Sequence, residues 1–269
     1  MRKVIAALDN SLAAGPVLAT ALELSKVLDA EIEALHVPVN GDRVARNAAA
    51  AAGVTLQTPS GPVLDRLIEA GEAGDVAALV LGARGSPLER RPLGGTALAV
   101  ATSLAKPLVV VPPNAARPGR LSRVLVPLEG RRTPAHTPRV IVELAQGTEL
   151  DVIVLTVLEQ ETLPLFTDQP QHEHPARMEE FLRRHCPWGI GRIRLEVRVG
   201  RSDELVPLVA EEIDVDIIAL GWSQELEPGR APVVRATLAR GRIPVMLVPV
   251  EVQADEPRVG AVSGSPVRL

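Results

Sequence analysis

The sequence has very few aromatic residues: two Phe, two Trp and no Tyr among 269 residues, although 46% of the chain is apolar. The core must therefore be packed from aliphatic side chains. Base stacking on aromatic side chains, a common way to hold single-stranded nucleic acid, is excluded as a basis of function. The formal net charge of -4 offers no basic surface to a phosphate backbone. We expect no nucleic-acid partner.

Long apolar runs and cysteine pairs are also lacking. No run approaches the roughly 20 residues that cross a bilayer, because Gly, Pro or a charge interrupts each one. The first apolar run stops at Asp9, too early for the core of a signal peptide. The lone Cys186 excludes an internal disulfide and fits a reducing compartment. We therefore expect a cytoplasmic protein without membrane insertion.

Short apolar runs alternate with segments of helical period, which is typical of βαβ units and a parallel sheet. In the first half, strands are predicted at residues 4–8, 32–37, 54–58, 77–81 and 107–112, and helices at 13–28, 44–52, 63–73 and 97–105. The first helix carries an i, i+3, i+4 stripe that should lie on the sheet, formed by Leu18, Ala21, Leu22, Ser25 and Leu28.

The same order of elements restarts in the second half. Residues 123–129 and 154–157 match 3–9 and 34–37 at an offset of 120, Gly200 and Gly221 match Gly61 and Gly82 at 139, and residues 244–249 match 107–112 at 137. About 19 residues are therefore inserted between the second and third strands of the second copy, and two are lost later.

The repeat predicts two domains, at residues 1–116 and 121–250. Residues 114–121 are interpreted as a linker. The tail at 251–269 mixes Gly, Pro, Ser and charges without a period, and we expect it to be disordered. Neither segment is expected to carry chemistry.

A glycine loop follows the apolar strand at 77–81. It contains Gly82 and Gly85, and after nine intervening residues Gly95 and Thr96 open an Ala-rich helix. Glycine lets the backbone approach a phosphate closely, and a helix N-terminus adds free N–H donors and the positive end of a dipole. Thr96 is suited to cap this helix. The alternative is that the glycines only build a tight loop and a helix cap.

This loop is neither a P-loop nor the dinucleotide G-x-G-x-x-G motif. The spacing G-x2-G-x9-G-[S/T] resembles the ATP-binding signature of the universal stress protein family. Asp9 at the end of the first strand and a Val-rich strand ending at Pro112 are similar to further landmarks of that family. The resemblance covers nearly all of residues 1–250, as two copies.

The resemblance implies a fold of two tandem five-stranded parallel-sheet domains, Rossmann-like and of the adenine nucleotide alpha hydrolase type. In such a protein the last strands, 108–111 and 245–248, would pair as an internal pseudo-dimer. It also implies ATP as cofactor, with Mg²⁺ as its counterion. The resemblance leaves two partners open. One is a second copy of the chain in a homodimer, and the other is an unidentified regulatory protein.

The resemblance further implies a nucleotide site in the first domain. Asp9 and its neighbours would lie beside the ribose and adenine, and the backbone of Val37 would contact adenine. The complete set of cofactor-binding candidates is Ala7, Leu8, Asp9, Val37, Leu81, Gly82, Arg84, Gly85, Gly95, Thr96 and Ala97. Arg84 is either a phosphate partner or a solvated loop residue, and Asn10 replaces the usual Gly after the Asp.

The second copy has lost most of this signature. Gln224 stands where Gly85 stands, Glu129 replaces Asp9, and Val234-Arg235 or nearby residues occupy the place of the Gly-Thr pair. A longer carboxylate and a β-branched side chain would crowd a nucleotide. We predict that this copy binds no ATP or binds it much more weakly, and that its role is structural.

Three other sets of residues could form a site. The inserted segment, at residues 158–192, holds His172, His174, His185 and Cys186, which could ligate zinc but lack a recognised spacing. His36 fits a satisfied core or strand-end histidine. Asp9 and Asp65 could position Mg²⁺ with ATP, yet no base for an attacking water stands out.

The sequence thus predicts an ATP-binding regulatory protein of the stress-response type, with at most slow ATP hydrolysis and no catalytic residues. One alternative is a nucleotide-free scaffold that acts through a dimer surface. Another is an ATP-using enzyme, a slow ATPase or a nucleotidyl transferase, whose turnover would depend on Asp9 and Mg²⁺.

Overall fold

The computed structural model describes most of both halves. The described residues are 2–39, 41–83, 93–115, 119–128, 141, 148–158, 192–225 and 231–250. Outside them lie the predicted tail, three residues of the two loops, Arg84, Gly85 and Glu129, and the four candidate zinc ligands at 172–186.

The first half alternates strands and helices as the sequence predicts. Its elements are β1 (Lys3–Ala7), α1 (Ala14–Val27), β2 (Glu31–Leu35), α2 (Arg43–Ala52), β3 (Leu56–Gln57), α3 (Val63–Glu72), β4 (Val76–Gly82), α4 (Gly95–Ser103) and β5 (Leu108–Val111). The predicted stripe of α1 faces inward, with Leu18, Ala21 and Ser25 buried. The strand expected at 54–58 is shorter because β3 is an edge strand that pairs with β2 through two residues only.

The second half repeats most of this order. Its described elements are β6 (Arg123–Leu128), β7 (Asp151–Leu158), β8 (Ile193–Val199), α5 (Ser202–Glu212), β9 (Ile217–Trp222), α6 (Pro232–Arg240) and β10 (Val245–Pro249). Among the described residues no helix is long and apolar enough to cross a membrane.

All ten strands form one sheet in the order β3-β2-β1-β4-β5-β10-β9-β6-β7-β8. Neighbouring strands run parallel within each half, and β5 pairs antiparallel with β10 at the centre, where Val110 lies opposite Val245 and Leu108 opposite Leu247. The predicted fold class and the pairing of the last strands are therefore confirmed. The exact domain boundaries stay predictions, although Leu121, placed in the linker, is buried in the core.

The strand register reproduces the three sequence offsets. Val4 pairs with Ile32 and Val124 with Val152, which keeps the offset of 120. Ile5 pairs with Leu79 and Leu125 with Ile218, which changes the offset to 139. Leu79 pairs with Leu108 and Ile218 with Val245, which gives 137. Residues at these offsets therefore occupy equivalent places in the two halves.

The core consists of two apolar layers, one on each face of the sheet. One layer lies under α1 and α2, and the other lies under α3 to α6. Successive residues of β1 alternate between them, as the period of a strand requires. Nearly all of the buried side chains are aliphatic, as the composition predicts, and Trp222 is the largest of them.

Candidate functional site

Several predicted site residues lie at one edge of the sheet. The strands β2, β1 and β4 are adjacent and parallel, and Ala7 pairs with both Leu35 and Leu81. Their carboxyl ends therefore bring the residues that follow them side by side, as in other open α/β sheets that bind ligands there. The residues placed there are Ala7, Leu8, Asp9, Val37, Leu81 and Gly82, of which Ala7, Leu8, Val37 and Leu81 are buried.

The Asp9 carboxylate is fixed by the turn that follows β1. Its Oδ1 accepts hydrogen bonds from the backbone N–H of Ser11 at 3.1 Å and from the Ser11 hydroxyl at 2.6 Å. The Ser11 Oγ in turn accepts the N–H of Ala13 at 3.1 Å, just before α1. One carboxylate oxygen therefore holds the turn, and among the described residues no hydrogen bond is found to the other, so it can accept one from a ligand hydroxyl.

Asn10 has a structural role that could not be predicted from the sequence. Its Oδ1 accepts the backbone N–H of Val44 at 2.8 Å, in the first turn of α2. First-turn amides have no partner inside their own helix. The residue that replaces the family's glycine therefore caps α2 from the β1 loop, and no motif in the local sequence of α2 points to a partner 34 residues away.

His36 is buried, as predicted, and joins two backbone segments beside Asp9. Its Nδ1 lies 2.8 Å from the carbonyl oxygen of Leu8, and its Nε2 lies 2.9 Å from that of Gly41. Carbonyl oxygens only accept, so whichever ring nitrogen carries a proton donates. Gly41 has φ +85, a conformation that favours glycine. The ring thus fixes the end of β1 relative to the segment that precedes α2.

A surface charge pair stands next to that segment. Asp42 occupies the N-cap position of α2, and the guanidinium of Arg46 hydrogen-bonds its carboxylate. This hydrogen bond lowers the pKa of Asp42 below its ordinary value. The pair is spaced i, i+4 on an exposed face, where solvent screens the attraction between the two charges.

The N-terminus of α4 lies at the same edge of the sheet. The backbone N–H of Ala83, just after β4, donates to Val111, and the carbonyl of Ala83 accepts the N–H of Gly94 at 2.8 Å, closing the base of the glycine loop. The first backbone bond of the helix runs from Leu98 N–H to Gly94. The amides of Gly95, Thr96 and Ala97 precede it, so they have no partner within the helix.

Thr96 does not cap this helix, contrary to the expectation from sequence. Gly94 is the N-cap, no side chain caps the helix, and Gly95 is its first residue. Because Gly94 is the N-cap, Thr96 is the second residue of the helix, two positions too late to cap the first amides. Gly95 and Thr96 are both exposed, whereas Ala97 is buried.

Gly95 is not required by packing. A Cβ built on it would have no heavy atom within 4 Å among the described residues. Its conformation is also helical, which any residue can adopt. Among the described residues, the place of a side chain at the first residue of α4 is therefore open space.

The second half differs at the equivalent place. Trp222 stands where Ala83 stands, and both residues are buried. The helix α6 begins at Pro232 after Ala231, which has φ +45, so Pro232 and Val233 occupy the places of Gly95 and Thr96. The sequence predicts Val234-Arg235 or nearby residues at this place, and the structure has the nearby pair Pro232-Val233 there. Proline has no N–H, so this helix presents one donor fewer.

No group of three or more His, Cys, Asp or Glu side chains gathers within the described residues. Asp65, which was weighed as a partner of Asp9 for Mg²⁺, lies in the first turn of α3. The candidate metal chemistry of the inserted segment concerns residues outside the described part of the chain.

Comparisons with known proteins agree with the fold. Residues 121–249 match the model of the Universal stress protein family. A functionally unknown protein from Pseudomonas aeruginosa PAO1 has a TM-score of 0.63 at 15% identity, with 93% of this chain and 92% of that chain covered. A universal stress protein from Archaeoglobus fulgidus DSM 4304 has a TM-score of 0.59 at 14% identity, with 91% and 95% covered. No sequence match is found among curated proteins.

Residues 121–249 therefore form a domain of the universal stress protein family, and the whole chain shares the two-domain fold of these solved structures. The matched segment is the second half, whose loop has lost the glycine spacing, so the family assignment does not depend on the nucleotide signature.

Proposed function

We propose that the first half binds an adenine nucleotide, ATP, at the carboxyl ends of β1, β2 and β4, and that occupancy of this site regulates the protein. The observation that carries the proposal is the N-terminus of α4, where Gly95 leaves the first-turn amides open. Free N–H groups and the helix dipole favour a polyanion, and each charge near such an end gains about 0.3–1 kcal/mol.

The rest of the site supplies groups for the nucleoside. A carboxylate fixed through one oxygen, as Asp9 is, can accept hydrogen bonds from ribose hydroxyls with the other. Val37 follows β2 and would meet adenine through its backbone. Gly82 ends β4 and, with Arg84 and Gly85 of the loop, would approach the phosphates. Mg²⁺ would arrive with the nucleotide, held by its phosphates.

Regulation is favoured over catalysis because the described site holds no candidate base for an attacking water. Asp9 holds the turn with one oxygen and would meet the ribose with the other, away from the phosphates, and both ring nitrogens of His36 face backbone carbonyls. Slow hydrolysis is the most that this arrangement supports. A cytoplasmic location and a homodimer remain part of the proposal.

The test is the thermal unfolding midpoint with and without saturating Mg-ATP, in the wild type, Gly95→Val and Gly74→Val. Gly74 is the matched control, because an added Cβ meets nothing within 4 Å at either glycine. A ligand at 100 times its Kd stabilises the native state by about 2.7 kcal/mol, which raises the midpoint by about 5–10 °C. We expect this shift in the wild type and in Gly74→Val, and its loss in Gly95→Val.

Two outcomes contradict the proposal. An undiminished shift in Gly95→Val would place the nucleotide elsewhere on the chain. No shift in the wild type, with no nucleotide released on heat denaturation, would favour the nucleotide-free scaffold. Repeating the titration with Mg-GTP tests whether adenine is selected.

A further inference from the structure

Two side chains of the second half leave their own domain and bind helix α4 of the first. The Nε1–H of Trp222 donates to the carbonyl oxygen of Ala101 at 2.8 Å. The Nε2–H of Gln224 donates to the carbonyl oxygen of Leu104, also at 2.8 Å. We name this pair of side chains the α4 brace. Both residues occupy the place where the first half has its glycine loop.

The bond from Trp222 satisfies two buried groups at once. Its indole N–H is a donor without acceptor capacity, and burying it without a partner would destabilise the protein. Ala101 lies in the last turn of α4, where carbonyl groups have no partner inside the helix. The indole also packs in the same apolar cluster as Val100, Ala101 and Leu104.

Gln224 reaches α4 from a strained backbone conformation. Its φ of +62 lies in the left-handed region, which is unfavourable for a residue with a side chain. Its amide binds Leu104, the C-cap residue of α4. The conformation is accounted for by this contact, because it directs the side chain across to the other half.

Only the second half contributes the side chains of the α4 brace. In the first half Ala83 stands where Trp222 stands, and a methyl group cannot donate to α6. Gly85, the counterpart of Gln224, has no side chain at all. The second half therefore binds the helix of the first half, and the first half does not return the contact through these positions.

Helix α4 connects the brace to the proposed phosphate site. It has nine residues, about 13 Å at 1.5 Å per residue, with the open amides at one end and the braced carbonyls at the other. A movement of either end displaces the other, since a short helix behaves as a rigid element.

We infer that Trp222 and Gln224 are positioning residues for the nucleotide site of the other half. They hold the C-terminus of α4 so that its first-turn amides face the carboxyl edge of the sheet. This inference rests on the proposed function. Because coupling between two sites is reciprocal, nucleotide at one end of α4 also tightens the brace at the other.

The affinity test uses the full chain and titration with Mg-ATP. The double variant Trp222→Phe/Gln224→Glu keeps approximate side-chain size but removes both N–H donors. Leu155→Ala is the control, because Leu155 is fully buried in β7 and lies outside the brace. We expect the double variant to bind about threefold to tenfold more weakly, and the control to bind as the wild type does. Equal weakening in both, or no weakening in the double variant, overturns the inference.

A second measurement separates this inference from the proposed function. In ligand-free protein, amide hydrogen exchange at Leu98 reports on the first turn of α4, whose backbone bond goes to Gly94. We expect faster exchange in the double variant and none of this change in Leu155→Ala. Unchanged exchange at Leu98 overturns the inference even if ATP binds. Absence of ATP binding to the wild type would instead refute the proposed function, and exchange would still decide whether the brace positions α4.

The reciprocal effect, of bound nucleotide on the α4 brace, is tested by tryptophan fluorescence. Trp188→Phe leaves Trp222 as the sole tryptophan, because the chain has two. We expect Mg-ATP to shift its emission, and the shift to vanish when Gly95→Val is added. Constant emission while titration shows binding overturns the coupling.

Discussion

The two halves share strand order and register, yet they use the end of their fourth strand in opposite ways. In the first half, Gly95 and Thr96 are exposed at the N-terminus of α4. In the second half, Trp222 binds α4 of the first half, and Pro232 removes one amide from the N-terminus of α6. One backbone frame therefore carries an exposed helix N-terminus in one half and a contact to the other half in its partner, depending on a few side chains after β4 or β9.

The largest expected effect comes from Trp222→Ala, which gives the second half the residue of the first. It leaves a large cavity and one unpaired carbonyl group, that of Ala101, so we expect a loss of about 3–5 kcal/mol in the free energy of unfolding. Urea denaturation measures it. We expect no nucleotide binding to be gained, since Pro232 still lacks its N–H.

Trp222→Phe serves as the graded control for that change, with a smaller loss because most of the apolar contact remains. A loss below about 1 kcal/mol for Trp222→Ala would contradict a structural role for the indole.

The halves also differ in how their helices pack on that face. In the first half Gly71 of α3 lies against Leu104, and a Cβ on Gly71 would stand 2.6 Å from its Cδ1. The register places Ala210 of α5 and Gly241 at the equivalent positions. The larger residue of the pair is therefore Leu104, after α4, in the first half and Ala210, in α5, in the second half.

Gly71→Ala is expected to have the next largest effect, because it puts a Cβ on both sides of this contact. Overpacking against Leu104 exceeds the gain of about 1 kcal/mol from helix propensity, so we expect a net loss of about 1 kcal/mol. In a Leu104→Ala background the same change should become stabilising. Urea denaturation of the four proteins checks the sign, and a stabilising Gly71→Ala in the wild type would show that Leu104 moves aside freely.

The start of the first strand of each half is held differently as well. In the first half Lys3 forms an exposed ion pair with Asp75 at 3.0 Å. In the second half Asp216 accepts the N–H groups of Ser122 and Arg123 at 2.8 and 2.9 Å. The first arrangement depends on two charges at the surface, and the second on backbone amides.

The smallest expected effect is that of Asp75→Asn. The hydrogen bond with Lys3 lowers the pKa of Asp75 and raises that of Lys3. The stability due to Asp75 is therefore present above its unfolded pKa and is lost as the pH falls through the lowered folded value. That due to Lys3 is lost as the pH rises through its raised value. Unfolding midpoints between pH 7 and pH 2.5 should fall less steeply in Asp75→Asn, and 1 M NaCl should remove the difference.

The strand frame could be predicted from sequence because aliphatic strands ending in Pro or Gly leave a clear local pattern. The three offsets were readable for the same reason, and the register confirms each of them. The Asn10 cap and the Trp222 bond were not predictable, since they join residues 34 and 121 positions apart. Thr96 is predicted as the cap because a hydroxyl next to a helix usually caps it, but the helix begins at Gly95, two residues earlier than predicted.

The antiparallel contact of β5 with β10 has a consequence for assembly. The two strands belong to one chain, so their meeting is intramolecular and depends on an effective concentration set by the connecting segment, not on the concentration of protein. Dilution cannot separate the halves. The second copy could therefore lose the glycine spacing and still stay paired with the first copy. The covalent connection maintains the pairing of β5 with β10 that a separate subunit would have to maintain by affinity alone.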